Sequence, residues 1–198
     1  MVEKLKDEEI IVLILKGKEQ LYSELVLRYQ NRLFSTIYHY TRDYEDAKDL
    51  AQEIFIKVYN NLHKYNNKAS FSTWFYRIAV NSCIDWTRKR RLVTVSTFET
   101  DENEEIHILE HISDDTPSPE DVLLKEEYKT TIKNIVMDLP EIYKTVVILY
   151  YYEDFSPREI SDILNIPKKT IDSRLYRARD ILKSRITNME YGGGAFEL

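Results

Sequence analysis

Glycine is nearly absent from the body of this chain, and that scarcity limits the folds open to it more than any other feature. Three of the four glycines, Gly192, Gly193 and Gly194, fall near the C-terminus, so Gly17 alone serves everything before them. A glycine-rich phosphate loop and a dinucleotide-binding fingerprint are therefore excluded, and so is a β-fold punctuated by glycine turns. With 43% hydrophobic and 12% aromatic residues over 198 positions, the chain has enough apolar surface for real cores. An all-α protein is the expectation. The longest apolar run, Ile10 to Leu15, is too short to cross a bilayer, and no basic start precedes an apolar signal core. One cysteine, Cys83, cannot form an internal disulfide and reads as a small half-buried filler. A soluble cytoplasmic protein is expected, with no direct membrane insertion.

The formal net charge of −6 argues at first against a nucleic-acid partner. Its distribution reverses that argument. Residues 1–91 hold 16 basic and 12 acidic side chains, 92–121 hold none and 10, and 122–198 hold 12 of each. The acidic stretch ends in Thr116-Pro117-Ser118-Pro119 and lacks apolar periodicity, so it reads as a linker. Two readings of that linker stand side by side: a solvated spacer, or a nucleic-acid mimic that lies in a basic channel of a partner. The expected division is a helical domain over 1–91, an acidic linker over 92–118, a second helical domain over 119–187, and a flexible tail over 188–198.

Four helices are expected in the first domain. They run from Lys6 to Lys16, Glu19 to Tyr40, Tyr44 to Leu62, and Phe71 to about Arg91. Asp43 is a good N-cap for the third, whose Ala47, Leu50, Ala51, Ile54, Val58 and Leu62 form one apolar stripe. On the fourth, the stripe is Phe71, Trp74, Phe75, Ile78, Ala79 and Trp86. Thr73, Arg77, Asn81, Asp85 and Arg88 are expected to face away from it.

The second domain opens with Ser118-Pro119-Glu120-Asp121, a helix-start signature for a segment running to about Asp138, and a further helix covers Glu141 to Tyr151. Ser156-Pro157-Arg158-Glu159 is a capping box, so a short helix spans Pro157 to Leu164. Ile166-Pro167 breaks it, and a longer helix runs from Lys168 to about Ile186. Short helix, tight turn and long helix outline a helix-turn-helix. Ile171, Leu175, Ala178 and Leu182 form the inner side of the long helix. Lys169, Asp172, Ser173, Tyr176 and Arg177 form the outer side, with Arg174 and Arg179 on the flanks. The segment 165–185 carries seven basic and two acidic residues, which suits a helix entering a DNA major groove.

The segment Ile166-Pro167-Lys168-Lys169-Thr170-Ile171-Asp172-Ser173-Arg174-Leu175-Tyr176-Arg177-Ala178-Arg179 resembles the recognition-helix signature of the extracytoplasmic-function (ECF) group of bacterial RNA polymerase sigma factors, within the sigma-70 family. Two further blocks agree in order. Asp46-Ala47-Lys48-Asp49-Leu50-Ala51-Gln52-Glu53-Ile54-Phe55 resembles the polymerase-binding part of that family's region 2, and Phe71 to Asn81 resembles the part that opens and reads the minus-ten element.

The resemblance implies a sigma region 2 domain and a sigma region 4 domain that together direct promoter-specific initiation. Asp46, Asp49, Gln52 and Glu53 would dock on the β′ clamp helices of core RNA polymerase, with the β flap meeting the second domain. Arg77, Asn81, Arg88, Lys89 and Arg90 would meet the minus-ten strand, and the loop Asn66 to Ser70 would hold a flipped base. Lys168, Lys169, Thr170, Asp172, Ser173, Arg174, Tyr176 and Arg177 would contact the minus-thirty-five element. An anti-sigma factor is the further implied partner. No cofactor, metal or catalytic residue is implied.

Two positions depart from the family pattern. Asp172 stands where lysine or arginine is usual, and Lys169 replaces the usual glycine of the turn. Because aspartate accepts from cytosine N4 and cannot bond the guanine acceptor edge, an altered minus-thirty-five preference is expected. The alternative reading is a stand-alone helix-turn-helix regulator, which accounts for the second domain and leaves the two region 2 blocks unexplained. A metal enzyme fits poorly: His39, His63, His107 and His111 offer no His-Glu-Xaa-Xaa-His arrangement.

Overall fold

A computed structural model describes residues 5–94 and 131–192. Helix α1, Asp7–Leu15, carries Asp7, Glu8 and Glu9 in its first turn, where acids complement the exposed amides and the helix dipole. It buries Ile10, Ile11 and Ile14, and the chain then turns at Gly17, whose φ of 95° is the conformation that favours glycine. A 3-10 turn, Glu19–Leu21, leads into α2, Tyr22–Thr41. Arg42 ends α2 in the left-handed region, and Asp43 at once caps α3, Tyr44–Asn61, its side chain accepting the Asp46 amide at 2.8 Å. A second 3-10 turn, Leu62–Lys64, and a short loop precede α4, Phe71–Thr94.

The second block comprises helical residues 131–137 (α5), then α6, Glu141–Val147, α7, Pro157–Leu164, and α8, Lys168–Gly192. The capping box at Ser156 and Glu159 is formed as the sequence predicts, and Asn165 closes α7 in the left-handed region. All the described regular structure is helical.

Several boundaries differ from expectation. The single helix expected over Glu141 to Tyr151 is α-helical only to Val147 and continues as a π turn, Ile148–Tyr152. That turn ends with the Glu153 amide on the Ile148 carbonyl at 3.1 Å, a wider closure than an α-helix allows. Helix α8 passes Ile186 and reaches Gly192, so the first residues of the segment expected as a flexible tail are helical. Likewise α4 ends at Thr94, and the first three residues of the expected linker complete it. The rest of the linker and the helix start at Ser118 to Asp121 lie outside the described residues, as do His107 and His111.

The interior stripe of α4 is also rotated from its expected position. Phe71, Phe75, Tyr76, Ala79, Val80 and Cys83 are buried, whereas Trp74, Ile78 and Trp86 are half-buried. Cys83 is fully buried rather than half-buried, and burial pushes its thiol pKa up. Thr73, expected on the outer face, is buried, its hydroxyl 2.9 Å from that of Ser70.

The cause is a contact that local periodicity does not encode: the two blocks pack on one another. One continuous apolar cluster runs from Leu33, Ile37, Ile54 and Phe75 to Val146, Ile148, Phe155 and Ile160. A smaller one, Val136, Leu139, Val147 and Ala178, ties α5 and α6 to α8. The Phe155 ring meets the Tyr76 ring edge-on at 5.0 Å between centroids, and the Tyr40 hydroxyl donates to Thr145 at 3.1 Å. At the rim Arg42 pairs with Asp138 at 2.7 Å.

Candidate nucleic-acid interface

Helix α8 owes its outward face to three buried anchors. Ile171, Leu175 and Ala178 are buried against α6 and α7, and Leu182 is half-buried in the smaller cluster. This is the inner stripe that the spacing predicts. Fixing it leaves Lys168, Lys169, Asp172, Ser173, Tyr176 and Arg177 exposed on the opposite side, with Thr170 and Arg174 half-buried at the edges. Tyr176, at 71% exposure, stands almost free of the protein, although an aromatic ring normally gains from burial. Within this face Lys168 Nζ lies 2.8 Å from an Asp172 carboxylate oxygen one turn along. Arg179, on the flank, donates from Nε to the Tyr151 hydroxyl at 2.8 Å.

On α4, Arg77, Asn81, Arg88, Lys89 and Arg90 are all exposed. Their engagements differ. Arg88 pairs with Asp85 on the preceding turn at 3.2 Å. The Arg90 guanidinium lies 5.0 Å from the Trp86 ring centroid and bonds to the Asp46 carboxylate. Arg77 donates to the main-chain carbonyl of Asp162 on α7. The neighbouring loop is ordered by Tyr65, whose hydroxyl donates to the Ala69 carbonyl at 2.8 Å, and by Asn67 in the left-handed region.

On α3, Asp49, Gln52 and Glu53 are exposed on one side, with Glu53 3.6 Å from Lys57. Asp46 is half-buried and belongs as much to the α4 surface, through Arg90, as to this one. The pair therefore joins the two sets of residues that the sequence treats separately. Ile56, at 62% exposure, lies one turn beyond Gln52. It lies outside the stripe of Ile54 and Val58 and leaves an apolar side chain on an otherwise polar face.

Among the described residues no group of three or more histidine, cysteine or carboxylate side chains could hold a metal ion, and no helix is long and apolar enough to cross a membrane.

A helix-turn-helix with a basic outer face, following a helical domain with a polar acidic helix and a basic helix, defines a class of two-part DNA-facing proteins. Comparison with known proteins makes it specific. Residues 25–93 match the family model Sigma-70 region 2, and residues 130–182 match Sigma-70, region 4. The ECF RNA polymerase sigma factor SigW of Bacillus subtilis is 33% identical over 174 residues, covering 88% of this chain and 93% of that protein. The ECF RNA polymerase sigma-E factor of Escherichia coli K12 is 30% identical over 190 residues, covering 94% and 97%.

The chain belongs to the sigma-70 family of RNA polymerase sigma factors, in its extracytoplasmic-function group. Solved structures share the fold. The sigma factor RpoE of Bartonella quintana, in co-crystal with the anti-sigma factor NepR, has a TM-score of 0.66 and 22% identity, covering 84% of this chain and 96% of that one. CnrH, solved with the cytosolic domain of CnrY, has a TM-score of 0.65 and 17% identity, covering 90% and 95%.

Proposed function

We propose that this chain binds core RNA polymerase and directs it to a subset of promoters. In this reading α8 reads the minus-thirty-five element and α4 the minus-ten element, and phosphodiester chemistry stays with the polymerase. The observation that carries the proposal is the division of α8 into a buried stripe, Ile171, Leu175 and Ala178, and an exposed face of lysine, aspartate, serine, tyrosine and arginine. Such a helix offers base-edge donors from its face and phosphate partners from its flanks. The amide of Asn81 suits a Watson–Crick edge, and the guanidinium groups of α4 suit phosphates and unpaired bases.

Polymerase binding is assigned to Asp49, Gln52 and Glu53, with Asp46 at their edge, acting as acceptors toward basic clamp helices of β′. The β flap is the expected contact of the C-terminal domain. An anti-sigma factor is part of the same proposal; the Bartonella relative bound to NepR supports it. A stand-alone regulator is not favoured, because the family match extends through residues 25–93.

The test is assembly. Mixed with core polymerase and passed over a sizing column, the chain should co-elute with it, and Asp49→Lys with Glu53→Lys should abolish co-elution while leaving the helical circular dichroism unchanged. A chain that elutes apart from core polymerase contradicts the reading.

A further inference from the structure

Arg179 differs from the neighbouring cations in what holds it. The charge of Lys168 is met by Asp172, that of Arg88 by Asp85 and that of Arg90 by Asp46. Arg179, exposed on the flank of α8, is gripped by neutral rings instead. Its Nε donates to the Tyr151 hydroxyl at 2.8 Å, and its guanidinium carbon stands 5.8 Å from the centroid of the Tyr150 ring. The two rings meet edge-on with 4.9 Å between centroids.

The π turn Ile148–Tyr152 supplies the grip. Ile148 and Leu149 are buried at its start, and Glu153 just past its end is 5% exposed, with its carboxylate bound by Arg32, Thr36 and Tyr76. Anchored on both sides, the turn presents two successive tyrosines to Arg179. Tyr150 is half-buried and Tyr151 is 49% exposed. A long cationic side chain normally loses rotamer freedom when it meets its ligand, and two contacts have already removed part of that freedom here.

The donors left over define the ligand. Tyr151 occupies the N–H on Nε and leaves those of the two terminal nitrogens, while the Tyr151 hydroxyl, accepting from Nε, still has its own proton to donate. A full charge and a hydroxyl donor side by side suit one oxygen-rich anion, and no carboxylate among the described residues is paired with Arg179 to compete for them. Lys183, exposed one turn further along α8, adds a second cation to the same flank. This flank adjoins the outer face of α8, and a helix lying in a major groove has phosphates along the walls beside it.

We propose that Arg179 and Tyr151 form a composite clip for one phosphodiester of the DNA backbone, in which Tyr151, with Tyr150 packed against the guanidinium, is the positioning residue that aims Arg179. The clip rests on the reading of α8 as the DNA-contacting helix. It carries no base information; it sets the register in which the helix docks.

Holoenzyme assembled with each variant is titrated with a fluorescent promoter duplex and with a scrambled duplex over a salt series. Arg179→Gln should weaken both by the same factor, about tenfold, and flatten the slope of log affinity against log salt by about 1, as loss of one phosphate contact does. Tyr151→Phe keeps the ring and removes the hydroxyl. It should weaken both duplexes when Arg179 is present and have little further effect once Arg179 is glutamine, a non-additivity that an independent structural role does not produce. An additive loss overturns the positioning role, a loss confined to the promoter duplex overturns the phosphate assignment, and no loss in either variant overturns the clip. Weakened core-polymerase binding at unchanged DNA affinity would make the flank a protein contact and overturns it equally. Arg177→Ala is the reference: if it weakens promoter binding while Arg179→Gln does not, the clip alone falls, and if neither does, the reading of α8 falls with it.

Discussion

Lys168 and Asp172 lie one turn apart on the outer face of α8, joined by a 2.8 Å ion pair. The pair engages one of the two lysines that open the helix and orients a carboxylate where the family resemblance leads a cation to be expected. Both side chains are about half exposed, so the pair adds little to stability. Asp172 can accept from a cytosine amino group and repels a guanine acceptor edge. Selection of minus-thirty-five sequences with the holoenzyme should return cytosine at one position and lose it with Asp172→Lys. A discrimination of about 1–3 kcal/mol per base pair corresponds to a change on the order of tenfold or more. Identical selected sequences from both proteins refute the assignment.

The ion pair between Asp46 and Arg90 ties the expected polymerase face to the expected minus-ten face. Since both groups are 40% or more exposed, Asp46→Ala should change thermal stability by at most about 1 kcal/mol. If Asp46 also meets polymerase, the same substitution weakens core binding well beyond that. Melting temperature and a polymerase titration, run on one preparation, separate the two effects.

His39 gives the fold an acid sensitivity. It is 3% exposed, its Nδ1 has no hydrogen-bond partner, and its ring meets Tyr152 edge-on at 4.6 Å. Burial, then the charges of Lys133 and Lys144, lower its pKa from 6.5 to about 4. The folded state therefore holds the ring neutral while the unfolded chain takes up a proton, so stability falls as pH drops from about 6.5 toward 4. Glu153 acts oppositely, because its raised pKa favours the protonated folded state over part of the acid range. The His39→Gln variant should show a flatter urea midpoint between pH 7 and pH 5 than the wild type. Equal slopes would falsify the histidine assignment.

The short helix α7 depends on its cap. Ser156 accepts the Glu159 amide, and Glu159 accepts the Ser156 amide at 2.9 Å, so two otherwise unpaired donors are met. Ser156→Ala should cost about 1 kcal/mol. Chemical denaturation measures this directly, and a loss below a few tenths would mean that tertiary packing alone holds α7.

The elements whose forces are local were legible in the sequence. Asp43 capping α3, the Ser156 and Glu159 box, and the Ile171, Leu175, Ala178 stripe all rest on residues three or four positions apart, within reach of a periodicity argument. Glu153 was not legible, since its partners at positions 32, 36 and 76 are distant along the chain and nothing in Tyr152-Glu153-Asp154 distinguishes it from a solvated acid. The same distance hid the capture of Arg77 by α7. On α8 the exposed residues are foreseeable from the helical period, and the i, i+4 spacing of Lys168 and Asp172 permits their ion pair.

The proposed function has this chain confer promoter choice on core polymerase through two separate reading surfaces, one on α8 and one on α4. Run-off transcription on genomic fragments, with start sites mapped, tests it most directly. Discrete start sites should appear only when the chain is added, and should be lost both with Arg177→Ala on α8 and with Asn81→Ala on α4. Transcription that is unchanged by the chain, or start sites indifferent to both substitutions, would contradict it.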